Sequence, residues 1–208
     1  MNAVPIRILN VDDHFMVRVG LIGAISEEGD MQVVGEARDG QRAFEMFEKL
    51  LPDVTLMDGM LPDIHGVEVT RHLVAAHPEA RILLVSISDT VEDIHRAMEA
   101  GAWGYLPKSS EQNELLLAIR VIAGGQRYLR EDLARKLALR RLTNPLSDRE
   151  IQVLTLVAKG MTNKEIASAM VLAEDTVKSY LKQIFAKLEV PDRTRAVTLA
   201  LERGILRL

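Results

Sequence analysis

From Ile6 onward, short apolar runs alternate with stretches in which apolar positions recur every three or four residues. The runs are IRILNVD (6–12), MQVVGEA (31–37), DVTLMD (53–58), RILLVS (81–86) and WGYL (103–106), and a segment of helical period follows each. Runs of this kind read as strands buried on both faces, and parallel strands require crossover helices between them. Five such units through residue 123 predict an α/β domain with a doubly wound, five-stranded parallel sheet. In that architecture ligands collect beyond the carboxyl ends of the strands, near the change in strand order.

After Gly124-Gly125 the pattern changes. QRYLREDLARKLALRRLTNP carries Leu129, Leu133 and Leu137 at helical spacing, continues to Arg140-Arg141 and stops at Asn144-Pro145, which predicts a helical linker over 124–145. From Leu146 to the end the pattern predicts only short helices, a second and smaller all-α domain over 146–208. Ser147-Asp-Arg-Glu150 and Thr162-Asn-Lys-Glu165 are capping boxes that open the first two, and Gly160 closes the first. A third helix is predicted from about Glu174 to Leu188 and a fourth from about Asp192 to Arg203, before Gly204. In the third, Val177, Leu181, Ile184 and Leu188 recur on one face, leaving Lys178, Ser179, Lys182 and Gln183 on the other.

Composition narrows the chemistry. No cysteine occurs in the 208 residues, which removes disulfides and thiolate-bound metals and fits a reducing, cytoplasmic setting. No apolar run approaches the ~20 residues of a membrane span, and MNAVPIRILNVDDH does not read as a signal peptide. Charge is strongly uneven. Residues 1–119 hold 9 Lys and Arg against 20 Asp and Glu, residues 120–144 hold 7 against 2, and residues 145–208 hold 10 against 8. A polyanionic partner therefore belongs to the back half of the chain.

The predicted strand ends bring Asp12, Asp13, Asp58, Ser86 and Lys108 into one neighbourhood. Three carboxylates around one point repel unless a cation shares the site, and oxygen-only ligation favours Mg²⁺. With the metal and Lys108 neutralising phosphoryl oxygens, Asp58 is suited to act as nucleophile toward a phosphoryl donor, with Ser86 donating to the product. The five histidines show no metal-like clustering and read as solvated. The set VDDH (11–14), LMDGMLPDIHG (56–66), VS (85–86) and GYLPK (104–108) resembles the receiver domain of two-component response regulators, which has a flavodoxin-like fold. The resemblance covers residues 5–123. It implies Asp58 as phosphoacceptor, Asp12, Asp13, Asp58 and the backbone carbonyl of Met60 as Mg²⁺ ligands, Ser86 as the switch hydroxyl, Tyr105 as its coupled aromatic and Lys108 as the phosphoryl-binding cation. A sensor histidine kinase is the implied phosphodonor. Two departures stand out: Ile87, where the family has a small residue, is expected to narrow access to Asp58, and Pro107 is expected to alter the route of the fifth loop.

The segment from Leu146 resembles the LuxR-type helix-turn-helix of the NarL/FixJ group. That resemblance implies double-stranded promoter DNA as partner. It places Lys178, Ser179 and Lys182 at base edges and Thr176, Asn163, Lys164, Lys187 and Arg193 at phosphates, with a homodimer formed through the last helix. Ala173, where Ser is usual, forfeits a helix cap. The expectation is a phosphorylation-controlled DNA-binding transcription regulator rather than an enzyme. An aspartyl-nucleophile phosphohydrolase is the enzymatic rival, but it needs a carboxylic acid two residues beyond the nucleophile, where Met60 stands. A receiver used for assembly without phosphorylation is the other.

Overall fold

The computed structural model describes residues 4–142 and 146–206. The chain divides into two compact units with the boundary between Ala134 and Arg135.

In the first unit β1 (Ile6–Val11), β2 (Met31–Ala37), β3 (Val54–Asp58), β4 (Ile82–Ser86) and β5 (Gly104–Pro107) alternate with α1 (Phe15–Ser26), α2 (Gly40–Leu50), α3 (Gly66–Ala76), α4 (Val91–Glu99) and α5 (Gln112–Ala123). All these strands pair in parallel, in the order β2-β1-β3-β4-β5. Every residue of β3, β4 and β5 is buried, the reason those runs lack polar alternation. On one face Ile8, Leu56, Leu83, Val85 and Leu106 pack with Ile25 of α1 and Leu115, Ile119 and Ile122 of α5. Alternation along the strands sends Leu9, Met57, Leu84 and Tyr105 to the other face, and α2, α3 and α4 bury Phe47, Leu73 and Ile94.

The five-stranded expectation needs one correction. A sixth strand, β6 (Tyr128–Leu129), lies parallel to β5 within the segment read as linker. Gly125 (φ 80°) turns the chain at the end of α5 and returns it beside β5. Two residues are too few to leave a period in the sequence, so pattern alone does not reveal the strand. Helix α6 (Glu131–Leu142) follows at once. The Asn144-Pro145 end expected for the linker lies outside the described residues.

Pro107 leaves the sheet regular. It is the last residue of β5, in register with Ser86, and the next amide, of Lys108, donates to the Ser86 carbonyl at 2.7 Å. A proline that ends a strand costs no ladder bond when its neighbour supplies one.

The second unit contains α7 (Asp148–Ala158), α8 (Asn163–Met170), α9 (Glu174–Leu188) and α10 (Arg193–Glu202) around a core of Val153, Leu154, Ile166, Val177, Leu181, Ile184, Ala196 and Ala200. Both capping boxes form, Ser147 with Glu150 and Thr162 with Glu165. Ala173 precedes α9 with no side-chain cap. Among the described residues no helix is long and apolar enough to cross a membrane.

Val171, between α8 and α9, holds a left-handed backbone (φ 56°) and is 91% exposed. A β-branched side chain is disfavoured there, and no core contact offsets the strain. Val171→Asn is therefore expected to raise stability by roughly 0.5–1 kcal/mol, measured by urea unfolding; an unchanged or lower midpoint would refute the strain.

Candidate phosphoryl-transfer site and DNA-reading face

The carboxyl ends of β1, β3, β4 and β5 deliver the site. Asp12 follows β1 and Asp58 ends β3; each is almost wholly buried, with side-chain exposure of 3%. Lys108 lies between them, its Nζ 2.7 Å from Asp12 Oδ2 and 2.9 Å from Asp58 Oδ2. Burial raises the Asp58 carboxyl above the ordinary range, opposed by hydrogen bonds from Lys108 and the Met60 amide. Burial alone would lower the Lys108 ammonium, but its hydrogen bonds to Asp12 and Asp58 outweigh that and raise it.

The remaining oxygens of these carboxylates are held by backbone. The His14 amide donates to Asp12 Oδ1 at 2.8 Å and the Met60 amide to Asp58 Oδ1 at 3.2 Å. Asp13 is exposed at the mouth of the pocket. Ligand atoms of Asp12, Asp13, His14 and Asp58 all lie within 4.8 Å of one another. One lysine cannot neutralise three carboxylates, so the donor set fits a hard divalent cation such as Mg²⁺.

His14, which the sequence reads as solvated, adjoins this cluster. Its Nδ1 is 2.6 Å from Asp13 Oδ1, although its side chain is well exposed. Its adjacency to the acid pair was the available signal. Ile87 is 81% exposed, with its side chain largely in solvent. Phe15 and Met16, which open α1, and Met60, on the loop after β3, are likewise exposed.

Ser86 ends β4, buried, and its Oγ accepts the Ser88 amide at 3.3 Å. Ser88 is a junction absent from the sequence reading. Its hydroxyl donates to the buried Asp93 of α4, and its carbonyl accepts the Tyr105 hydroxyl at 2.5 Å. Tyr105 itself is fully buried. The structure thus brings Ser86, Tyr105 and α4 together through the backbone and side chain of one loop residue.

In the second unit Val177, Leu181, Ile184 and Leu188 of α9 are buried, and Thr176, Lys178, Ser179 and Lys182 are exposed. Lys178 Nζ is 3.0 Å from Asp175 and 3.5 Å from Glu174. Lys164 is exposed on α8, whereas Asn163 is half-buried with its Oδ1 enclosed and unbonded. Two of the residues expected at phosphates have internal work. Lys187 Nζ is 2.7 Å from Oε2 of the buried Glu150, and Arg193 donates to the Met161 carbonyl. Glu150 is held below the ordinary range: burial would raise it, but hydrogen bonds from Lys187 and Ser147 prevail.

Comparison with known proteins defines the class. Residues 8–120 match the family "Response regulator receiver domain" and residues 144–200 match "Bacterial regulatory proteins, luxR family". The chain therefore belongs to the response regulators that join a receiver to a LuxR-type DNA-binding domain. The response regulator protein VraR of Staphylococcus aureus is 34% identical over 206 residues, covering 97% of this chain and 99% of VraR. VraR of Staphylococcus saprophyticus is 34% identical over 207 residues with the same coverage. Among solved structures, the response regulator ChrA of a heme-sensing two-component system is 33% identical, covering 98% of this chain and all of ChrA, with a TM-score of 0.57. Salmonella typhimurium RcsB, at 22% identity with 93% of this chain and 98% of RcsB covered, shares the fold with a TM-score of 0.73.

Gly66, the first residue of α3, lets the helix start against the end of β3. A Cβ there would stand 1.8 Å from the Asp58 carbonyl oxygen. Gly66→Ala is expected to cost roughly 1–3 kcal/mol and to slow phosphoryl acceptance at Asp58, read together by denaturation and acetyl phosphate labelling. Unchanged values of both would show that the contact does not position Asp58.

Proposed function

We propose that Asp58 accepts a phosphoryl group and that its phosphorylation controls DNA binding by α9. The observation that carries this reading is Lys108 bridging Asp12 and Asp58 in a buried pocket. The functional segments are residues 1–123 as receiver, 124–145 as linker and 146–208 as DNA reader.

In the proposed step a carboxylate oxygen of Asp58 attacks the phosphorus of a phosphohistidine, the new P–O bond forms as the P–N bond breaks, and the imidazole of the donor leaves. Mg²⁺ held by Asp12, Asp13, Asp58 and the Met60 carbonyl would neutralise phosphoryl oxygens during transfer. Lys108 already donates to Asp58 Oδ2 and is positioned to take another phosphoryl oxygen. Ser86 then donates its hydroxyl to the product, and Tyr105 follows through Ser88. A protein donor, a sensor histidine kinase, is favoured by the exposed Phe15 and Met16 at the start of α1 and by Met60 and Ile87 on the loops after β3 and β4. Apolar side chains left in solvent beside a polar centre fit a docking partner better than a small metabolite.

For the reader, Lys178, Ser179 and Lys182 are assigned to base edges in the major groove of promoter DNA, and Thr176, Asn163 and Lys164 to phosphates. Lys187 and Arg193 are assigned to phosphates as well, in competition with their contacts to Glu150 and the Met161 carbonyl. A homodimer on DNA is assigned to α10, whose Thr194, Arg195, Thr198 and Glu202 are exposed. The setting of this work is the cytoplasm, and the role is regulation rather than metabolic turnover.

Asp58→Asn should abolish labelling by acetyl phosphate with Mg²⁺; persistent labelling would move the acceptor elsewhere. Lys182→Ala should lower affinity for the cognate sequence by ~1–3 kcal/mol while non-specific binding changes little. Equal losses on both DNAs would make Lys182 a phosphate contact.

A further inference from the structure

The sixth strand has no role in phosphoryl transfer, yet the chain is built to hold it. The Tyr128 amide donates to the Trp103 carbonyl at 2.9 Å, and Tyr128 and Leu129 lie opposite Gly104 and Tyr105. At Gly104 a Cβ would fall 2.7 Å from the Tyr128 carbonyl oxygen, so the absence of a side chain there admits β6. Side chains anchor it further. The Tyr128 hydroxyl donates to Glu114 of α5 at 3.3 Å, and Arg130, 3.8 Å from Glu114, pairs with Asp132 through bonds of 2.6 and 2.7 Å. The Arg130 carbonyl accepts the Ala134 amide at 2.8 Å in the first turn of α6. One residue therefore separates the sheet from the linker helix.

Tyr105 meets both systems. Its hydroxyl is bonded to the Ser88 carbonyl in the loop that also holds Ser86, and its backbone lies in register with Leu129. We propose that β6 is the coupling strand: it fixes the start of α6 to the strand that carries Tyr105, so a rearrangement at Ser86 and Tyr105 is delivered to the linker through backbone hydrogen bonds. A two-residue strand held by so few bonds is easily undocked, and undocking disconnects the reader from the state of Asp58 without harming either. The inference rests on the phosphorylation-controlled reading above.

The test uses the full chain. Tyr128→Pro removes the amide that bonds Trp103 and leaves the five longer strands intact. Hydrogen exchange in segment 103–106 should accelerate, acetyl phosphate labelling of Asp58 should persist, and the ratio of phosphorylated to unphosphorylated DNA affinity should fall to about one from the roughly 5–150-fold expected of coupled sites. If the proline impairs folding, the double variant Tyr128→Phe with Arg130→Ala, which removes the side-chain anchors to Glu114 and Asp132 and leaves the backbone bonds of β6, should lower the ratio while labelling persists. A full ratio in a variant whose 103–106 amides exchange faster would overturn the coupling strand alone. A wild-type ratio of one would overturn the phosphorylation-controlled reading, and the coupling with it.

Discussion

Two carboxylates, Asp12 and Asp58, face each other almost without solvent, and the ammonium of Lys108 between them makes the arrangement tolerable. Removing either partner of a buried pair leaves an uncompensated charge, which costs far more than the pair itself contributes. The rest of the receiver can be read as the means of holding three charges at this separation. Asp12 and Asp58 come from the ends of strands joined in register, and Lys108 is fastened to β4 by its own amide. Parallel strands with helices on both faces supply rigid ends at one level, which loops alone would not.

The reader is organised by a second pair with a different purpose. Glu150 is both the reciprocal member of the α7 capping box and the partner of Lys187 near the end of α9. One side chain thus fixes the start of α7 to the finish of α9. Arg193 closes the Met161 turn in a similar way. Orientation of the exposed side of α9 is set by these contacts behind it, together with the buried Val177, Leu181, Ile184 and Leu188.

Much of this was legible in the chain. The five long strands, both capping boxes and the buried face of α9 follow from periodicity and end signals, which act over a few residues. Asp12, Asp58 and Lys108 were found because strand ends in one architecture must converge. What escaped depends on contacts between segments far apart in sequence. Strand β6 is too short to carry a period and needs Gly104 across the sheet. Ser88 reads as an ordinary loop serine and matters through its amide, carbonyl and hydroxyl together. Lys187 reads as a surface lysine until α7 and α9 are packed. His14 reads as one of five solvated histidines, although its place beside Asp13 is visible in the sequence.

The sheet's borders have a consequence for self-association. At one border β2 exposes Gln32 and Glu36, and a shift of register against β1 interrupts its pairing. At the other, β6 covers part of β5 and presents only two residues. Polar, interrupted or very short edges are poor templates for another strand. Backbone addition to the sheet is therefore discouraged on both sides, which leaves the helices and loops as the surfaces this domain offers.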